Sequence, residues 1–153
     1  MKHYIIDGNN LIGKISSLQK IQQKDKQSSR EKLAFMMDNY FHNKKAKCTI
    51  HFDGFAQQPI KITYSKIIYS NNQTADNEIK KQIEMSKNRK NLVVVTSDNN
   101  LSEFAHVCSC TVMKSEEFAN TLQRKVVDDE KNRIELMSKD EDEFKKLFGV
   151  DDE

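Results

Sequence analysis

The chain has 153 residues, 37% of them apolar and 31% charged, with 25 Lys and Arg against 23 Asp and Glu. That length suits one compact domain with a real core, and no apolar run approaches a membrane span. Three cysteines argue against a disulfide framework, and the start, with "YII" after one Lys and one His, does not read as a signal peptide, so the expectation is a cytoplasmic protein. The charge is uneven. Residues 126–153 hold 11 acidic and 5 basic residues, a net of −6, and the rest of the chain carries a net of +8. A basic body with an acidic tail suits a polyanion binder; a solvated face with a disordered tail has the same composition.

Along the chain, apolar runs alternate with helical patterns. "HYII" (3–6), "CTIHF" (48–52), "KIIYS" (66–70), "LVVVTS" (92–97) and "CTVMK" (110–114) are short, β-branched and nearly continuous, as strands buried on both faces should be. Residues 10–22 suggest a helix. Leu33, Met36, Met37, Tyr40 and Phe41 follow helical spacing behind a capping box at Ser28 and Glu31. Ala75, Ile79 and Ile83 mark a further helix, Leu101, Phe104, Ala105 and Cys108 another, and Phe118, Ala119, Leu122 and Val126 a last one with Ser115 as its cap. The single proline, Pro59, lies in a surface loop, "FAQQPIK". Strands alternating with helices predict an α/β domain with a parallel sheet of about five strands over residues 1–125. Residues 126–153 read as an acidic C-terminal extension. In it, "SKDE" (138–141) spaces a second capping box ahead of Phe144, Leu147 and Phe148, which predicts a short docking helix.

Four carboxylates stand at the ends of these elements. Asp7 follows "YII", Asp53 follows "CTIHF", Asp98 follows "LVVVTS", and Asp76 lies in "QTADNEI" after the third strand. In a parallel sheet all four converge on one rim, where they repel one another unless divalent cations neutralise them. Oxygen donors suit Mg²⁺ or Mn²⁺, and the chemistry that uses such a cluster is phosphodiester hydrolysis. Taken singly, Asp76 also reads as a first-turn helix acid, Asp98 as a helix cap and Asp53 as turn chemistry.

In this order and spacing, "IIDGNNLI", "HFDG", "TADNEIKKQI", "VVVTSDNNL" and "CTVMKSEEF" resemble the YacP-like branch of the NYN domains, within the PIN-like nuclease superfamily. "HVCSC" (106–110) departs from the pattern, which leads one to expect a small residue such as Gly before the last strand. The resemblance implies a Rossmann-like PIN fold and an endoribonuclease that uses Mg²⁺ or Mn²⁺ in its acidic site. It assigns Asp7, Asp76 and Asp98 to the metal, with Asp53 as a fourth member, and matches Asn10, Thr96 and Ser97 to polar positions around them. Asn9 and Asn10 would position the scissile phosphate or a water. Water attack in line would leave a 5′-phosphate and a 3′-hydroxyl. Lys14, Lys80, Lys81 and Arg89 are candidates to hold the RNA, and Tyr64 or Phe55 to stack on a base. The partners implied are messenger, ribosomal or transfer RNA, with the ribosome a further candidate and no membrane. The oligomeric state is open, a monomer being preferred.

Other readings fit less well. "CSC" with His106 and Cys48 lacks zinc-finger spacing and a second pair. No phosphate-binding glycine loop is present, and an aspartyl-phosphate chemistry would want an acid where Asn9 stands. The alternative kept beside the nuclease is a non-catalytic RNA- or ribosome-binding adaptor on the same fold.

Overall fold

The computed structural model describes residues 1–147, with side chains through Lys139. The elements run β1 (Lys2–Asp7), α1 (Gly8–Ile12), α2 (Ser16–Lys24), α3 (Lys26–Phe41), β2 (Ala46–Phe52), β3 (Lys66–Tyr69), α4 (Ala75–Met85), β4 (Leu92–Val95), α5 (Asn99–Val107), β5 (Thr111–Met113) and α6 (Ser115–Leu147). Met1–Leu122 form one compact unit and Gln123–Glu153 a second.

The first unit is built on a five-stranded sheet in the order β3-β2-β1-β4-β5, parallel throughout. Alternation along β1 sends Ile6 to one face and Ile5 to the other. Ile6 joins a core with Leu11, Leu18, Leu33 and Phe41 of α1–α3 and Phe118 of α6. Ile5 joins Ile79 and Ile83 of α4 and Leu101 and Ala105 of α5. Both faces are thus covered, which is why the strands read as apolar runs rather than alternating ones. Tyr4, Tyr40, Phe41 and Phe118 form an aromatic group in the first core with ring centroids 5.0–6.1 Å apart, Tyr40 meeting Phe41 and Phe118 edge to face and Tyr4 meeting them tilted.

Several local expectations are corrected. The helix expected over 10–22 is two helices, α1 and α2, with a turn at Gly13 and Lys14 between them. Ser28 does not cap α3. Asp25 does, accepting from Gln27 N at 3.1 Å, and Ser28 donates to it from inside the first turn. An aspartate three residues earlier offers the helix dipole a full charge, which a serine cannot. The spacing of Ser138 and Glu141 starts no new helix, because Ser138 lies inside α6. The side chains of Phe144 and Leu147, and all of Phe148, fall outside the described residues. In the second unit, α6 continues from Gln123 with Val127, Ile134 and Met137 exposed.

Where a small residue such as Gly was expected before the last strand, Ser109 takes φ +68°. It closes α5, with Cys110 N reaching Ala105 O at 3.0 Å. A Cβ in the left-handed region is strained, and glycine relieves that strain at the cost of a more flexible unfolded chain. Ser109→Gly should therefore raise stability by about 0.5–1 kcal/mol, readable as a higher urea midpoint with an unchanged slope.

Residues 53–65 are tied down rather than loose. Arg30, 2% exposed, donates to the carbonyls of Asp53 and Phe55 and lies over the rings of Phe52 and Tyr69. Asp38 accepts from the backbone N–H groups of Thr63, Tyr64 and Ser65. The segment is therefore anchored to α3 at both ends.

Candidate active site

The parallel topology puts the carboxyl ends of all five strands on one rim, and the sequence places a polar residue at each. β1 ends in Asp7, and the next residue, Gly8, opens α1 where the chain passes against β2. A Cβ at Gly8 would stand 2.6 Å from His51 O and 2.7 Å from ring carbons of Phe52. Only a glycine lets Asp7 and the start of α1 come so near the end of β2.

Asp7 is mostly buried, and one carboxylate oxygen accepts from Thr96 Oγ1 at 3.0 Å. Burial pushes its carboxyl up to about 6, the Thr96 bond opposes this, and the carboxylates of Asp53 and Asp76 add to the rise. Those two acids therefore act on Asp7 through space. Thr96 also accepts from Asp98 N at 3.1 Å, so one hydroxyl links the ends of β1 and β4. Asp98 caps α5 through Leu101 N at 2.8 Å. Asp53 accepts from Ala75 N at 2.7 Å, at the start of α4. Asp76 pairs with Lys80 at 3.0 Å. Among the described residues no group of three or more His, Cys, Asp or Glu stands close enough to be read as a metal site.

The two asparagines each spend a carbonyl oxygen on this rim. Asn9 Oδ1 accepts from Asp53 N at 3.3 Å. Asn10 Oδ1 accepts from Ser97 N at 2.9 Å and from Ser115 Oγ at 2.7 Å. Asn10 thus joins α1, the β4–α5 turn and the start of α6. Ser115 is fully buried, so Asn10→Ala leaves two donors unpaired and should cost about 2 kcal/mol. Urea unfolding monitored by circular dichroism reads this loss directly.

Two rim residues escaped the sequence reading. Glu116, next to Ser115, accepts from Ser97 Oγ at 2.6 Å and pairs with Lys14 at 3.1 Å; the Ser97 bond leads the effects that bring its carboxyl down to about 2. It follows the last strand as the four aspartates follow theirs, and that same rule would have found it. Arg30 gave no such signal, since an arginine at helical spacing reads as a solvated one.

The candidate RNA-binding cations fall in different places. Lys14 lies on the rim, in its pair with Glu116. Lys80 pairs with Asp76 and stands over the Phe104 ring. Lys81 lines a cavity between α4 and β3. Arg89 sits in the turn before β4, at the opposite edge of the sheet from Asp7. Phe55 is 60% exposed; Tyr64, 45% exposed, packs its ring against His42 at 4.7 Å.

A parallel sheet in this order with acids along its carboxyl edge has the architecture of a PIN-like nuclease domain. The chain belongs to the YacP-like NYN domain family, which matches residues 4–148. Solved structures share the fold. The crystal structure of Rae1 (YacP) from Bacillus subtilis superposes with a TM-score of 0.72 at 19% identity, covering 97% of this chain and 88% of that one. Its W164L mutant gives 0.69 at 19% identity, covering 90% and 83%. No curated protein matches the chain.

Proposed function

We propose that this protein is a metal-dependent endoribonuclease that hydrolyses RNA phosphodiester bonds at the Asp7 rim. The observation that carries this reading is the placement of Asp7, mostly buried at the end of the central strand and within the field of Asp53 and Asp76. Asp7 as a buried anion beside two further carboxylates is costly without a cation.

The donors fit Mg²⁺ or Mn²⁺. Asp7, Asp53, Asp76 and Asp98 offer oxygen only, and Mg²⁺ commonly takes one or two carboxylates and keeps several waters. A bound cation would lower the pKa of a water and offset charge on the phosphate. The protein's own part is positioning. Thr96 holds Asp7 in one orientation. Asn9 and Asn10 turn their carbonyl oxygens to the backbone and to Ser115, and their amide nitrogens have the polarity that a phosphate oxygen requires. Lys14 and Lys80 supply positive charge beside the acids. Ribosome-bound RNA belongs to the proposed substrate class, with exposed Phe55 and Tyr64 as contacts for bases. The setting proposed is cytoplasmic, consistent with three free thiols.

End-group analysis of the products tests the reaction. Attack by water leaves 5′-phosphate and 3′-hydroxyl ends on the fragments. Cyclic 2′,3′-phosphate ends would mean that the RNA's own 2′-hydroxyl attacks, and the role given to the acidic rim would then be wrong.

A further inference from the structure

A second site lies on the face of the sheet beneath α4. There a cavity of about 440 Å³ opens between α4 and β3. Its inner wall is polar where a core would be apolar. His51, 1% exposed, donates from Nε2 to Gln82 Oε1 at 2.6 Å. Gln82 Nε2 reaches Thr49 Oγ1 at 3.4 Å, and His3 Nε2 meets the same hydroxyl at 2.7 Å. With the proton on Nε2, His51 Nδ1 is the acceptor of a neutral imidazole, and this buried atom has no hydrogen-bond partner. Buried polar atoms without partners are rare and costly.

The outer wall differs. Lys66 and Lys81 border the cavity, with Glu78 the one acid among its lining residues. Lys47 lines an adjoining groove of about 430 Å³ that shares His3, Thr49, Lys66 and Gln82. The positive field is felt inside, where burial first, then Lys47 and Lys66, hold His3 below its ordinary value. Ile68, Met85 and Leu92 supply apolar surface. A ligand matched to these walls carries a negative group for the lysines and a flat apolar body whose polar edge meets the His51–Gln82 side. The volume is in the range of small-molecule sites and far exceeds a bare ion.

We infer that the cavity between α4 and β3 binds a nucleotide unit, its phosphate at Lys66 and Lys81 and its base against His51 and Gln82. The unit can come from a free nucleotide or from an RNA strand, and the chemistry is the same. This inference does not depend on catalysis at Asp7, because binding is read without metal.

The experiment is an NMR titration of the ¹⁵N-labelled full chain in EDTA, following the ring nitrogens of the four histidines. The probes are the four nucleoside 5′-monophosphates, inorganic phosphate and a short oligoribonucleotide. At least one monophosphate should shift His51 Nδ1, and Lys66→Gln, at an exposed position, should weaken that binding about tenfold with the amide spectrum otherwise preserved. A shift of His51 by the oligoribonucleotide alone assigns the unit to RNA. An equal response to inorganic phosphate would overturn the inference, since the base would then contribute nothing. Silence at His51 from every probe would overturn it as well.

Discussion

Asp7→Asn should abolish RNA cleavage while making the protein more stable. The amide keeps the shape and can still accept from Thr96 Oγ1, which now meets the Asp7 carboxylate at 3.0 Å. What disappears is a buried negative charge. The folded-state carboxyl titrates near 6 against an ordinary 3.8. Below 3.8 both folded and unfolded chains hold the proton, and burial of the charge costs nothing. As the pH rises through 6 the folded state must carry the anion, so stability is lost. Wild type should therefore lose on the order of 2 kcal/mol relative to Asp7→Asn between pH 4 and pH 8 in EDTA. Denaturant melts of the two proteins across that range check the sign. Activity should move the other way, falling by about 10³-fold at neutral pH, since a cation held by one carboxylate fewer loses several kcal/mol of transition-state stabilisation. Adding Mg²⁺ or Mn²⁺ should then raise the melting temperature of wild type and leave the variant's nearly unchanged.

Gly8→Ala tests how the rim is built. Alanine is the better helix former, and Gly8 opens a helix, so propensity alone predicts a gain. The contacts predict the opposite. The new Cβ meets a strand carbonyl, His51 O, and the fully buried ring of Phe52, neither of which can swing away. Overpacking of this kind should cost about 3 kcal/mol, which lowers the melting temperature by roughly 10 °C for a domain of this size. The damage also spreads to function. Displacing α1 from β2 strains the Asn9–Asp53 bond and moves Asp7 relative to Asp53. Cleavage in Gly8→Ala should fall about 10²-fold even at temperatures where the protein is folded.

Much of the fold could be read from the chain. Strands buried on both faces show as nearly unbroken β-branched runs, so all five strands and their parallel arrangement follow from "HYII", "CTIHF", "KIIYS", "LVVVTS" and "CTVMK", with ends one or two residues off at some strands. Helix ends were harder, because several residues compete for each cap. Ser28 had the right spacing, yet Asp25 offers the stronger acceptor. Gly13 lies inside a stretch that looks helical, and only tertiary packing of Leu11, Ile12 and Leu18 shows why the chain turns there.

The positions of the four aspartates follow one rule, a carboxylate at a strand end or in the turn or first helical residues after it. Of their second duties, the capping bond of Asp98 was legible, because an aspartate just ahead of a helix reads as its cap. The Asp53 bond to Ala75 N was not, because it spans 22 residues. The roles of Asn9 and Asn10 are long-range too. Asn10 meets Ser115 across 105 residues of sequence, a partner that no local pattern reveals. The cavity under α4 was invisible for a similar reason: His3 and His51 sit in strand runs like core residues, and their partner Gln82 belongs to a helix.

The most direct test of the acidic rim is cleavage of a mixed pool of end-labelled RNAs, free and on translating ribosomes, with Mg²⁺ or Mn²⁺. Wild type is run beside Asp7→Asn and Asp98→Asn, with EDTA as the control. The account predicts cutting that requires the metal and disappears in both variants. Cutting that persists in EDTA or in Asp7→Asn would contradict it. RNA binding without any cleavage, on free RNA and on ribosomes alike, would contradict it too and leave the domain as an RNA-binding adaptor.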